Sequence, residues 1–115
     1  MIVGVLGGGQ LARMLALAGH PLGIRVRFLD PAEDACAAPV ADGLQGEFDD
    51  RALLDRLAAG ADVITYEFEN VPLASVEYLA GQLPVHPSPA ALAAAQDRLA
   101  EKTLFRELGI DTPRF

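Results

Sequence analysis

Short apolar runs alternate with amphipathic segments along this chain, and their order predicts the architecture. Residues 2–6 form an apolar run with β-branched side chains, which is typical of a strand buried on both faces. The strands predicted after it lie at residues 24–29 and 63–66, with shorter ones at 41–44 and 84–87. In the first of these, Ile24, Val26 and Phe28 alternate with Arg25 and Arg27, and Asp30 ends the run.

The segments between these runs have helical periodicity. Residues 10–18 place Leu11, Met14, Leu15 and Ala18 on one helix face, which we expect to be buried. The next predicted helix begins at Asp49-Asp50 and ends at Gly60. Three more predicted helices cover residues 73–81, 90–95 and 97–108. In the last helix, Leu99, Phe105 and Leu108 are expected to face the core, and residues 112–115 are expected to begin an extended segment.

The alternation of strand and helix predicts an α/β domain. The distance between the first two strands requires a crossover helix, and such a connection makes the strands parallel. We therefore expect a doubly wound, mostly parallel sheet of the Rossmann-like kind.

Composition and charge argue against several classes of function. The 115 residues suffice for one domain, and with 51% hydrophobic and 22% charged residues the chain is expected to fold. A net charge of -7 argues against binding to nucleic acid or to an anionic membrane surface. The start of the chain lacks a basic leader, so we expect a cytoplasmic protein. Cys36 has only His20 and His86 beside it, which form no zinc-ligand spacing.

A glycine-rich turn joins the first strand to the first helix. Residues 7–12, GGGQLA, fit the pattern G-x-G-x-x-G/A, and Asp30 ends the second strand where a ribose-binding acid would lie. Free N–H groups at such a helix start can face a phosphate or a ribose. The pattern permits a dinucleotide, another ribonucleotide, or glycines that serve only close packing.

Carboxylates follow the strand at 63–66, at the same edge of the sheet as the glycines. Glu67 and Glu69 lie there, and a carboxylate can accept both hydroxyl hydrogens of a ribose diol. If the chain stays extended here, the two glutamate side chains point in the same direction. The alternative is that both are solvated charges on a loop. Arg98, at the start of the last helix, is suited to an anion, although its spacing favours an ion pair with Asp97 or Glu101.

Four segments together resemble a known family. They are GGGQLARM at 7–14, TYEFENVP at 65–72, PSP at 87–89 leading to QDRLAEK at 96–102, and LGIDTP at 108–113. In order and spacing they are similar to the N-terminal part of the N5-carboxyaminoimidazole ribonucleotide synthetases. These are ATP-grasp enzymes of purine biosynthesis. The resemblance spans essentially the whole chain and implies a Rossmann-like pre-ATP-grasp domain over residues 1–115.

The resemblance implies an activity for the whole enzyme. Family members use ATP and bicarbonate to carboxylate 5-aminoimidazole ribonucleotide, through a carboxyphosphate intermediate. It further implies that Gly9, Gln10, Leu11 and Glu67 bind the ribonucleotide, with Glu67 on the ribose hydroxyls, and that Arg98 contacts ATP. A homodimer is expected, as is common in the family.

The family's enzymes are about three times this length, and two things follow by resemblance. The ATP-grasp and C-terminal domains, the carboxylates that bind Mg²⁺ and the basic residues for the substrate phosphate are expected beyond residue 115. The 115 residues alone are expected to contain no catalytic or metal-binding residue and to be inactive.

Two rival hypotheses remain at this point. One is the NAD(P)-binding domain of an oxidoreductase, which would use the glycine-rich turn and Asp30. The other is a non-catalytic ribonucleotide-binding domain descended from the synthetases.

Overall fold

A computed structural model describes residues 1–114 as a four-stranded parallel sheet with helices on both faces. The strands are β1, Ile2–Leu6; β2, Arg25–Asp30; β3, Asp42–Gln45; and β4, Val63–Tyr66. Their spatial order is β3-β2-β1-β4, and every pairing is parallel. The predicted α/β fold is confirmed, with β2 and β3 each displaced by one residue from their expected positions.

The helices connect the strands in the expected order. They are α1, Gln10–Gly19; α2, Arg51–Ala58; α3, Leu73–Ala80; α4, Pro89–Gln96; and α5, Arg98–Glu107, with a 3-10 helix at His20–Leu22. Side-chain caps begin three of them, because Asp50, Ser88 and Asp97 accept backbone N–H groups of the first turn. Phe115, the end of the predicted extended segment, lies outside the described residues.

The two faces of the sheet are covered differently. One face packs against α2 and α3 through a large aliphatic cluster, which includes Leu54, Leu57, Ile64 and Leu79. The other face carries α1 and a smaller cluster, which includes Val5, Ala12, Ala16, Val26 and Phe28. Since β1 lies between β2 and β4, its carboxyl end is the centre of the sheet edge where ligands of such folds bind.

The buried face of α1 differs from the predicted one. Ala12, Ala16 and Gly19 are buried, whereas Leu11 and Met14 are 58% and 54% exposed. The reason is close packing, since a Cβ at Gly19 would lie 3.1 Å from Ile24 Cβ. Small residues let this helix approach the sheet, and the larger side chains therefore point away from it.

Two further expectations are wrong. Residues 84–87 form no strand, because only Val85 makes an isolated parallel bridge to Ile64. The expected core-facing side of α5 is also wrong: Leu99 and Leu108 are 61% and 65% exposed, and Phe105 is half-buried. The amphipathic pattern of α5 is real, but its main helical neighbour in this structure is α4.

Across residues 1–114, none of the helices combines the length and apolar character needed to cross a membrane.

Candidate functional site

The glycine-rich turn leaves the carboxyl end of β1 at the middle of the sheet. Gly7 has a φ of +108°, in a region that L side chains rarely adopt, and its N–H donates to the Leu29 carbonyl at 2.8 Å. A Cβ at Gly8 would lie 2.4 Å from Phe28 Cδ2, so this glycine lets the turn lie on the ring. The turn therefore needs glycine for both backbone conformation and close packing.

Glu67 binds the start of α1 from the neighbouring strand. Its Oε1 accepts the Gly9 N–H at 2.7 Å, and its Oε2 accepts the Ala12 N–H at 2.8 Å. Gly9, the residue before the helix, supplies no side-chain cap, so the carboxylate satisfies N–H groups that a helix start leaves without partners. A negative charge here also interacts favourably with the helix dipole. Glu67 thus joins β4 to the glycine-rich turn.

Asp30 binds the same turn from the other side. Its Oδ2 accepts the Gly8 N–H at 2.8 Å, and its Oδ1 accepts the Ala32 N–H at 2.8 Å. The dinucleotide hypothesis assigned this carboxylate to a ribose. In the structure its two oxygens instead hold the turn and the chain that follows β2, so the residue has a structural use that the spacing did not predict.

A groove of about 220 Å³ runs beside Glu67, between α1 and β4. Leu11 and Leu15 line one wall, and Thr65 and Tyr66 line the other. Partial burial raises the pKa of the Tyr66 phenol from its ordinary value, so the group is neutral near pH 7. The groove therefore combines apolar walls with the Glu67 carboxylate and the Thr65 hydroxyl, which suits a polar, hydroxyl-bearing ligand.

Gln10 is exposed at the start of α1, and its side chain faces the loop after β2. Its Oε1 accepts the Cys36 thiol at 3.3 Å, while Arg13 Nη1 donates to the Cys36 carbonyl at 3.3 Å. The Gln10 side chain thus lies apart from the groove that Leu11 and Glu67 line.

A second, more polar cavity of about 350 Å³ lies where the β4 turn meets the junction of α4 and α5. Its lining residues are Glu69, Asn70, Ala95, Gln96, Arg98 and Glu101. The predicted ion pair of Arg98 is wrong, because among the described residues no salt bridge joins Arg98 to Asp97 or Glu101. The Asp97 carboxylate instead caps α5, accepting the Leu99 N–H at 2.8 Å.

Four of the five predicted site residues divide between two cavities, and the Gln10 side chain lines neither of them. Gly9, Leu11 and Glu67 lie together at the groove, and Arg98 lines the second cavity with Glu69. Glu67 and Glu69 do not share a direction, because the chain bends and turns directly after β4. Sequence reasoning missed Thr65, Tyr66 and Gln96 as lining residues, although all three belong to the segments that carry the family resemblance.

Comparison with known proteins shows which domain family the chain resembles. Residues 1–96 match the family model described as the ribonucleotide synthetase preATP-grasp domain. The N5-carboxyaminoimidazole ribonucleotide synthase of Pseudomonas aeruginosa is 50% identical over the whole chain, which covers 32% of that protein.

Solved structures agree with this comparison. N5-carboxyaminoimidazole ribonucleotide synthetase from Thermus thermophilus superposes with a TM-score of 0.94 at 56% identity, over 96% of this chain and 31% of that one. The synthase from Aspergillus clavatus, in complex with ADP and 5-aminoimidazole ribonucleotide, gives 0.87 at 34% identity, over 98% and 31%. The chain therefore spans roughly a third of the length of these relatives.

Proposed function

Since the chain belongs to the ribonucleotide synthetase preATP-grasp domain family, we propose that it is the N-terminal, substrate-binding part of an ATP-dependent ligase. The whole enzyme would carboxylate 5-aminoimidazole ribonucleotide to N5-carboxyaminoimidazole ribonucleotide with ATP and bicarbonate. Residues 1–115 would form one Rossmann-like domain, with the ATP-grasp and C-terminal domains beyond it. The 115 residues alone would be inactive.

One observation carries the ribonucleotide assignment: the Glu67 carboxylate is fixed beside the groove. A carboxylate has about four acceptor positions, and Gly9 and Ala12 occupy two of them. The other two can accept the 2′- and 3′-hydroxyls of a ribose. Gly9 and Leu11 would contact the ribonucleotide beside it. Gln10, whose side chain faces Cys36, would contact only a part of the ligand that extends out of the groove.

Arg98 is proposed to contact ATP in the second cavity. Arg98 lines a polar space with Asn70, Glu69 and Glu101, and with Gln96, whose Nε2 already donates to the Val71 carbonyl. The guanidinium is the donor there that suits phosphate or purine acceptors. In residues 1–114, no group of three or more His, Cys, Asp or Glu side chains could hold a metal ion.

The two rival hypotheses differ in how well they fit the hydrogen bonds of the turn. The dinucleotide hypothesis requires turn amides that Asp30 and Glu67 already occupy. A non-catalytic ribonucleotide-binding domain would use the same groove and differs only in lacking the rest of the enzyme. Bicarbonate, Mg²⁺, a homodimer and a cytoplasmic location stay predictions.

Titration of the ¹⁵N-labelled chain with 5-aminoimidazole ribonucleotide tests the ribose site. We expect saturable amide shifts at Gly9, Leu11 and Glu67, with a millimolar Kd because only part of the site is present. The exposed 3-10 segment His20–Leu22 is the internal control and should not shift. A folded chain whose groove amides stay unchanged at saturating ligand would contradict the assignment.

Replacement of Arg98 by alanine tests the ATP site in the product of the complete reading frame. We expect the KM for ATP to rise about tenfold, since a charged hydrogen bond contributes roughly 1.5–3 kcal/mol, while the KM for the ribonucleotide stays within twofold. Arg56→Ala, which removes an exposed cation on α2, is the matched control. An unchanged KM for ATP would remove Arg98 from the site.

A further inference from the structure

We propose that Glu67 is a specificity-determining residue that closes the glycine-rich turn to ligand phosphates. This inference rests on the proposed function in one respect: it says which part of a ribonucleotide can meet the turn. At glycine-rich turns that open a helix, a ligand phosphate commonly binds the first backbone N–H groups. In this chain the Glu67 carboxylate binds two of them instead, those of Gly9 and Ala12.

The hydrogen bonds of the glycine-rich turn are the first evidence for this proposal. Gly8, Gly9 and Ala12 donate their N–H groups to the chain's own carboxylates, at 2.8, 2.7 and 2.8 Å. Asp30 takes the first of these and Glu67 the other two. Three donors of the turn are therefore already bound to anions, each with a distance typical of a charge-assisted hydrogen bond.

The short distance between the Glu67 side chain and the turn is independent evidence for the proposal. A Cβ added to Gly7 would lie 2.6 Å from Glu67 Cγ, and one added to Gly9 would lie 2.6 Å from Glu67 Oε1. The side chain thus lies so close to the turn that not even a methyl group fits between them. A phosphate group, which is larger, cannot reach the Gly9 and Ala12 amides without displacing Glu67.

The negative charges around the turn also support the proposal. An approaching phosphate would meet Glu67 on one side of the turn and Asp30 on the other, in a chain whose net charge is -7. The nearby cation Arg13 donates to the Cys36 carbonyl, on the side of the loop after β2. Hydroxyl groups, in contrast, can donate to the carboxylate, so the turn selects a ribose over a phosphate.

The test measures binding of inorganic phosphate and of NAD at the turn, and needs no ribonucleotide substrate. In ¹⁵N spectra at constant ionic strength, we expect no saturable shift of the Gly9 and Ala12 amides in the wild-type chain up to 50 mM phosphate. Glu67→Ala should gain a saturable shift at both amides. Glu77→Ala makes the same change in charge at an exposed position of α3 that lines neither cavity, and should behave like the wild type.

A second readout covers the case in which Glu67→Ala folds poorly. Phosphate that binds the vacated amides stabilises the folded state by mass action, so it should raise the urea midpoint of Glu67→Ala more than that of the wild type or Glu77→Ala. Saturable phosphate or NAD shifts at these amides in the wild type would overturn the proposal. So would equal phosphate effects on all three proteins. Failure of the ribonucleotide titration would instead refute the proposed function alone.

Discussion

Replacement of Gly7 by alanine is expected to lower the free energy of unfolding by about 4 kcal/mol. Two costs add up. The φ of +108° disfavours an L residue by roughly 1–3 kcal/mol, and the new methyl group would lie 2.6 Å from Glu67 Cγ. Overpacking of this kind costs roughly another 1–3 kcal/mol. Urea denaturation followed by circular dichroism measures the sum.

Gly23→Ala is the matched control, because it separates backbone strain from the contact with Glu67. Gly23 also has a positive φ, +74°, but nothing lies within 4 Å of the Cβ position. We therefore expect a loss of about 1 kcal/mol there, from conformation alone. Equal losses of unfolding free energy at the two glycines would mean that Glu67 does not contact the turn as closely as it does in the structure.

Replacement of Glu67 by alanine is expected to lower kcat/KM for 5-aminoimidazole ribonucleotide at least about 100-fold in the product of the complete reading frame. The variant loses two hydrogen bonds from ribose hydroxyls to a carboxylate, each contributing roughly 1.5–3 kcal/mol. It also loses the bonds that hold the Gly9 and Ala12 amides. Initial rates at varied ribonucleotide concentration measure the effect.

Glu77→Ala makes the same change in charge on the exposed side of α3, and should keep kcat/KM within about twofold of the wild type. The KM for ATP separates a local from a general effect. It should change little in Glu67→Ala, because the groove and the Arg98 cavity have different lining residues. Wild-type kcat/KM in a folded Glu67→Ala variant would remove this residue from the ribose site.

The strands could be predicted from the sequence because burial on both faces leaves a distinct pattern. Ile2–Leu6 and Val63–Tyr66 are apolar runs bounded by turn residues, and both are strands with the predicted bounds. The helix start at Asp50 was equally visible, since a polar residue before an apolar helical segment indicates a helix start. Local chemistry alone decides such features.

The orientation of the helices could not be predicted in the same way. In α1 the large side chains suggested one buried face, but close approach to the sheet selected Ala12, Ala16 and Gly19. In α5 the amphipathic pattern is present, yet Leu99 and Leu108 have no apolar surface to cover them in residues 1–114. Periodicity shows that a face is apolar and cannot show what packs against it.

The candidate site was predictable in part. The common sheet edge of the glycine-rich turn and Glu67 follows from parallel topology, and the structure confirms that proximity. The hydrogen bonds from Gly9 and Ala12 to Glu67 could not be read from the sequence, since they depend on the bend after β4. Likewise, Asp30 and Gln10 have partners in the loop after β2, whose path the pattern of small residues there does not define.

The most direct test of the account is an assay of phosphate release by the product of the complete reading frame, with ATP, magnesium and bicarbonate. The account predicts release that depends on 5-aminoimidazole ribonucleotide, with N5-carboxyaminoimidazole ribonucleotide formed in equal amount. A folded, full-length protein that releases no phosphate when the ribonucleotide is added would contradict it.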